Sequence, residues 1–281
     1  YSDSNNMTQW AAPFSLNVSG GGAELTVTLA IKTFLGTSGN DVLTGGSGDE
    51  TFKGSGGADT ISAGSGNDSI DEIGNLIGAS IDGGSGWDNL TLHTNGSSVS
   101  LGANVRGIES FSFDPGQSSS VQNITLTNDV FTGVQGSQIS LSVWSGASKL
   151  DASAVTVGSF NFNGGQDADT LLGGSGNDSF NANGGNDSID GGGGQNRATL
   201  NLGTVTTARL SGLSLVKSTG QSWTIVSGAV AWLSITKGSD SSNAIIIQDL
   251  RLSGQLSANE KLFETTTLNN IQTIDFNATY S

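Results

Sequence analysis

The sequence predicts an all-β fold of short stacked strands, and three observations carry that prediction. A glycine-rich unit of nine residues recurs in two blocks, one position of each unit is apolar between polar neighbours, and the remaining segments alternate apolar and polar residues between Gly, Ser and Asn turns. No segment combines a helical stripe with a cap and a stop signal. The nearest candidate for a short helix is LSANEKLFETTTLNNI, residues 256–271.

The first block reads GTSGNDVLT, GGSGDETFK, GSGGADTIS and AGSGNDSID over residues 36–71. After an eleven-residue interruption GGSGWDNLT, residues 83–91, repeats the unit. The second block begins at Gly164 and reads GGQDADTLL, GGSGNDSFN, ANGGNDSID and GGGGQNRAT. Nine copies in phase are not an accident. Each unit divides into a turn of about six residues and a strand of about three. Glycine at the first, second and fourth positions is expected to supply positive φ and to let backbone carbonyls converge. The eighth position holds Leu43, Phe52, Ile61, Ile70, Leu90, Leu171, Phe180 and Ile189, a core-facing row, and fades to Ala198 in the last unit.

Outside the blocks, AELTVTLAIKTF (23–34) reads as a strand, and the stretches around VSLGANVRGIESFSF, NITLTNDVF, ISLSVW and VGSFNFNGG are similarly β-like. VRGIESFSF (105–113) and LNNIQTIDF (268–276) each follow a glycine-rich block with an Ile, an acid or amide, and alternating apolar residues. This suggests a rough duplication of array and rungs. The expected organisation is an N-terminal β segment (1–35), a first array (36–91), intervening β-rungs (92–163), a second array (164–199) and a C-terminal β region (200–281).

The chain has 281 residues, of which 43 are Gly, and 25 acids against 10 Lys and Arg give a formal charge of −15. That balance repels phosphate backbones and argues against nucleic acid as a partner, while suiting cations. No apolar run reaches the length of a membrane-spanning helix. Cysteine is absent, which fits export without disulfides. With no initiator Met or leader at Tyr1, a mature product or an excised fragment is expected.

The repeats resemble the calcium-binding nonapeptide G-G-x-G-x-D-x-U-x of the RTX family of bacterial proteins exported by type I secretion. The resemblance covers the two arrays. It implies a parallel β-roll, or β-solenoid, with two repeats per turn, so that repeats n and n+2 stack about 4.8 Å apart, with longer β-rungs interrupting the arrays. It also implies several calcium ions in the turns, ligated by the sixth-position acids and by turn carbonyls. Carried over by position, the acids are Asp41, Glu50, Asp59, Asp68, Asp88, Asp169, Asp178 and Asp187, and the fourth-position glycines are Gly39, Gly48, Gly57, Gly66, Gly86, Gly176 and Gly185. Asp41 is expected to share a site with Asp59, and Asp169 with Asp187. Asp88 has no evident partner. Three departures stand out. The extra methylene of Glu50 should weaken the site shared with Asp68, Asn196 removes a charge beside Asp178, and Asp167 at a fourth position should strain or truncate its turn. Incomplete loading at the array ends is the expected result.

Little points to catalysis. His93 is the single histidine and is expected at the surface, cysteine nucleophiles are excluded, and no nucleotide, zinc-protease or hydrolase motif occurs. FDPG (113–116) reads as an Asp-Pro-Gly turn. Trp10, Trp87, Trp144, Trp223 and Trp232 are expected to cover ends and seams of the solenoid rather than to form a binding surface. The resemblance therefore implies a non-catalytic, calcium-dependent, secreted structural protein of a bacterial cell surface. It would self-assemble into a layer or filament, or bind a cell-surface polysaccharide. The alternatives are the C-terminal folding and secretion module of an exported hydrolase, epimerase or toxin, and an adhesin or carbohydrate-binding module.

Overall fold

In the computed structural model the described residues are 8–10, 14–20, 23–29, 33–116, 121–205, 213–217, 222–227, 230–237, 244–249 and 265–280. They form a β-solenoid with no α-helix among them; one 3-10 turn spans Asn128–Phe131. No described helix is long and apolar enough to cross a membrane.

One face is a continuous ten-stranded parallel sheet that starts at Thr33–Leu35, passes through both arrays and the rungs between them, and ends at Thr273–Tyr280. The opposite face is built from two sheets. Thr8–Trp10, Val42–Thr44, Thr60–Ser65, Ser80–Ser85 and Val105–Arg106 make the first. The second begins at Val99–Leu101, so the rung through residues 94–109 closes one sheet and opens the other.

Where repeats follow one another without interruption the register is eighteen residues, two repeats per turn of the solenoid: Val42 pairs with Thr60 and Asn161 with Ser179. Between them rungs lengthen, pairing Asn89 with Ser110 and Ser110 with Ser140, yet the ladder of parallel strands continues. The core is a column of eighth-position side chains, each within 1 % of complete burial. Phe34 stacks on Phe52, and Phe162 on Phe180, both with ring centroids 4.7 Å apart. Flat rings fit here because adjacent parallel strands repeat at about the same distance.

Several expectations need correction. The 23–34 stretch is two strands, Ala23–Leu29 and Thr33–Leu35, and the first pairs antiparallel with Phe14–Gly20. The end of NITLTNDVF is the 3-10 turn rather than strand. Of the short-helix candidate, residues 256–264 lie outside the described set, and Thr265–Asn269 is a strand beside Ser188–Asp190; its run of β-branched threonines suits the pleat. Between Leu213 and Asp249 the chain also runs as an antiparallel meander, which the solenoid reading did not contain.

Candidate metal centres

The sixth residue of each unit ends the turn and enters the strand, so parallel stacking sets it over its counterpart one rung away. On the edge leading into the continuous sheet, the column runs Glu50, Asp68, Asp88, Glu109, Ile139, Phe160, Asp178, Asn196, Gln272. On the other edge Asp41 stands over Asp59, and Ser148, Asp169, Asp187 and Thr266 follow one another. All eight predicted acids are buried, none more than 5 % exposed.

In Asp59, Asp68, Asp88, Asp169, Asp178 and Asp187 one carboxylate oxygen has a repeated task. It accepts the backbone N–H of its column neighbour: Asp41 donates to Asp59 (2.8 Å), Glu50 to Asp68 (2.7 Å), Asp68 to Asp88 (2.7 Å) and Asp169 to Asp187 (2.9 Å). The partner that Asp88 lacked in the sequence is Glu109, whose Oε2 accepts the Asp88 N–H at 2.7 Å. Gln272 takes the same part at the far end, accepting the Asn196 N–H at 2.6 Å. Glu109 and Gln272 hold matching places in VRGIESFSF and LNNIQTIDF, so the similarity between those segments marks two equivalent array ends.

The second carboxylate oxygen divides the turns into two kinds. In the first kind it accepts the N–H of its own turn's second residue: Thr37 to Asp41 (2.6 Å), Gly46 to Glu50 (3.2 Å), Gly165 to Asp169 (2.9 Å), Gly174 to Asp178 (3.0 Å). In the second kind the second residue is left-handed, with φ of 69° at Ser55, 98° at Gly84 and 54° at Asn183. There Oδ2 of Asp59, Asp88 and Asp187 is buried without a hydrogen-bond donor.

The final turn shows what such a flipped turn presents to its sixth residue. Gly192 is left-handed (φ 68°), and the carbonyl oxygens of Gly191, Gly193 and Asn270 converge on Asn196 Nδ2 at 2.9, 2.7 and 3.1 Å. The amide hydrogens satisfy a cage of oxygens. A carboxylate in that cage sets oxygen against oxygen, a repulsion that a cation or a proton relieves. Consistently, burial pushes the Asp187 carboxyl up to about 8, and those of Asp88, Asp169 and Asp178 up to about 6, against opposing backbone hydrogen bonds. Burial raises Asp59 as well.

These residues fit calcium. It takes six to eight oxygens, and the ladders supply buried carboxylate oxygens and backbone carbonyls. Among the described residues no three or more His, Cys, Asp or Glu side chains are placed to hold a metal ion by themselves, so main-chain oxygens must complete any shell, a donor set foreign to zinc. When bound, the ion's charge cancels the repulsion between stacked carboxylates.

The fourth-position glycines lie where the turns touch: a Cβ at Gly57 (φ 115°) would overlap the Gly39 carbonyl oxygen, as one at Gly86 would that of Gly66. The expectation of positive φ at first positions fails. Gly45 and Gly54 are not left-handed, and they are glycine for space, since a Cβ at Gly45 would enter the Ala63 carbonyl. Gly39, Gly48 and Gly176 are also not left-handed, although a Cβ at Gly176 would meet the Gly158 carbonyl oxygen. Asp167 neither strains nor truncates its turn: its φ is not positive, and its carboxylate accepts the Gly146 N–H at 2.9 Å. Glu50 keeps its place in the column, its Oε2 accepting the Gly46 N–H at 3.2 Å.

The sequence reading missed a second ladder, one residue earlier. Asn40 Oδ1 accepts the Ala58 N–H, Asp49 that of Asn67, Asn67 that of Trp87 and Asn177 that of Gln195, each at 2.8 Å. The recurring Asn-Asp pair was its signal. It also missed Glu72, buried just beyond the first block. His93 is half-buried rather than at the surface, with Nε2 and Nδ1 each 2.9 Å from Asp71 and Asp114 carboxylates. Trp87 and Trp144 are 53 % and 60 % exposed and cover no seam; the side chains of Trp10, Trp223 and Trp232 fall outside the described set. In FDPG, Asp114 Oδ1 accepts the Gly116 N–H, closing the expected turn.

A family model described as the RTX calcium-binding nonapeptide repeat matches residues 33–71 and 163–198, the two stretches that carry the closest stacking. No curated protein and no solved structure matches the chain significantly. The two matched stretches thus carry RTX calcium-binding nonapeptide repeats, and the strands between them join both into one β-solenoid.

Proposed function

We propose that this is a non-catalytic extracellular protein of a bacterial surface whose solenoid folds on binding calcium and then associates with further copies of itself. The orphaned oxygens of Asp59, Asp88 and Asp187 support the folding half of this reading. Without a cation they oppose burial, and ordering so many glycines costs backbone entropy. With calcium, the same oxygens become ligands and binding energy becomes folding energy. Extracellular calcium modules work at about 10⁻⁴ to 10⁻³ M, so the chain would stay unfolded in calcium-poor cytosol and fold outside. Self-association is supported by exposed Leu35, Ile77, Trp87 and Trp144 on a chain of formal charge −15, where calcium bridges neutralise repulsion between copies.

The test is far-UV circular dichroism with light scattering from chelator to about 10 mM calcium, beyond the usual extracellular range, with magnesium as control. A calcium-specific gain of β signal followed by scattering is expected. A gain without scattering removes self-association and favours a secretion module or monomeric adhesin. A chain fully folded in chelator and indifferent to calcium overturns the reading.

A further inference from the structure

Glu72 is a carboxylate on a core-facing position: Ile70 and Glu72 alternate inward along Ser69–Ile73, and Glu72 is 1 % exposed. An apolar residue belongs there, since its partner on the next strand is Leu92. Its Oε1 is buried and has no hydrogen-bond donor.

What it faces follows from register. At four first-position glycines the backbone carbonyl of the residue in register on the next rung fills the space a Cβ would take. The Gly54 oxygen lies against Gly36, the Ala63 oxygen against Gly45, the Gly107 oxygen against Gly83 and the Gly191 oxygen against Gly173. At Gly36, Gly83 and Gly173 the same space borders Oδ2 of the turn's own sixth-position acid, Asp41, Asp88 and Asp178. The interval between rungs is therefore lined by a carboxylate oxygen of one and a first-position carbonyl of the next. At Gly54 the neighbour in register is Glu72, and the atoms filling that space are its carboxylate oxygens, not a main-chain carbonyl.

The substitution occurs where the ladder runs out of acids. Below Asp59 the next sixth-position residue on that edge is Ala79, in register because Thr60 pairs with Ser80. Asp59 is completely buried and its Oδ2 also lacks a donor. The two carboxyls lie close enough to hydrogen-bond when one carries a proton.

We propose that Asp59 and Glu72 together hold a calcium ion between the turn Gly54–Asp59 and the strand Ser69–Ile73, with Glu72 replacing both the missing carbonyl and the missing sixth-position acid. The site rests on the calcium reading above and lies partly outside the repeat, since the family match ends at residue 71. Two acceptor-only oxygens sealed from water and aimed at one interval require a positive charge or a shared proton.

The test is the number of calcium ions bound per full-length chain, by native mass spectrometry and equilibrium dialysis at pH 7.5, for wild type and Glu72→Gln. Gln reproduces the protonated carboxyl, donating to Asp59, so the variant should fold. One ion fewer is expected, with remaining sites titrating within about twofold of wild type. Glu72→Leu, which removes the buried polar group, serves as a second variant and should also lose one ion while gaining stability in chelator. If both variants bind as many ions as wild type, the pair is a proton-sharing couple and the proposal is wrong. If wild type itself binds no calcium, the wider functional reading fails first and this site with it.

Discussion

Asp187 offers the sharpest separation between a metal ligand and a structural acceptor. Its Oδ1 takes the Asp169 N–H at 2.9 Å while its Oδ2 is buried without a donor, and burial pushes its carboxyl from 3.8 to about 8. Because the folded value is raised, the folded chain binds the extra proton. Calcium-free stability is then greatest below about 4 and is lost as pH rises through about 8. At pH 7 the penalty is up to about 4 kcal/mol at roughly 1.36 kcal/mol per unit, and about 2 kcal/mol after allowing for solvent screening. Asp187→Asn removes the charge and keeps Oδ1. In chelator, with sulfate added to bring the calcium-free fold into range, the variant should be more stable than wild type by about 2 kcal/mol at pH 7, and by less than half of that at pH 5. In saturating calcium the order should reverse, since a ligand is lost; a tenfold weaker site corresponds to about 1.4 kcal/mol. Urea unfolding followed by tryptophan fluorescence measures both. Equal destabilisation in chelator and in calcium would refute the reasoning, leaving Asp187 a hydrogen-bond acceptor and nothing more.

Other perturbations should respond differently. Gly57→Ala places a Cβ at φ 115° against the Gly39 carbonyl and should cost about 2–3 kcal/mol or more, read as a lower urea midpoint at saturating calcium. Phe162→Ala breaks the stack on Phe180 and opens the core between the arrays; a loss of about 3–5 kcal/mol is expected by the same assay, with calcium stoichiometry unchanged in native mass spectra. Lowering pH from about 8 to about 6 should weaken calcium binding in calorimetry, because protons compete at Asp187 and then at Asp88, Asp169 and Asp178. Asn196→Asp puts a carboxylate into the carbonyl cage, so it should destabilise the chelated chain and add one bound ion, countable in native spectra.

The ladders were legible because uninterrupted repeats keep one spacing: with the two repeats per turn that the RTX resemblance implies, an eighteen-residue register sets Asp41 above Asp59. Between the arrays that phase is lost. Rung length varies from Asn89–Ser110 to Ser110–Ser140, so the column's passage through Glu109, Ile139 and Phe160 depends on strand pairing that no period announces. Those two apolar residues also show that the intervening rungs continue the fold without continuing the acids. Glu72 escaped notice because a carboxylate one residue past a repeat looks like a solvated strand end; only the pleat, which turns Ile70 and Glu72 inward, reveals it. The division of turns into two kinds was hidden because Ser55 and Asn183 adopt left-handed φ without being glycine.

The amide of Asn196 acts as a built-in counterpart of an ion. In a stack of rungs that touch only their neighbours, order spreads from whichever rung is least costly to form. Every other repeat of the second array must bring a buried carboxylate to its neighbour, whereas the Asn196 repeat closes on neutral N–H groups already attached to the chain. At limiting calcium the Asn196 edge is expected to order ahead of the edges that carry Asp169, Asp178 and Asp187. A single neutral side chain thereby gives direction to a folding process whose repeats, taken one by one, have none.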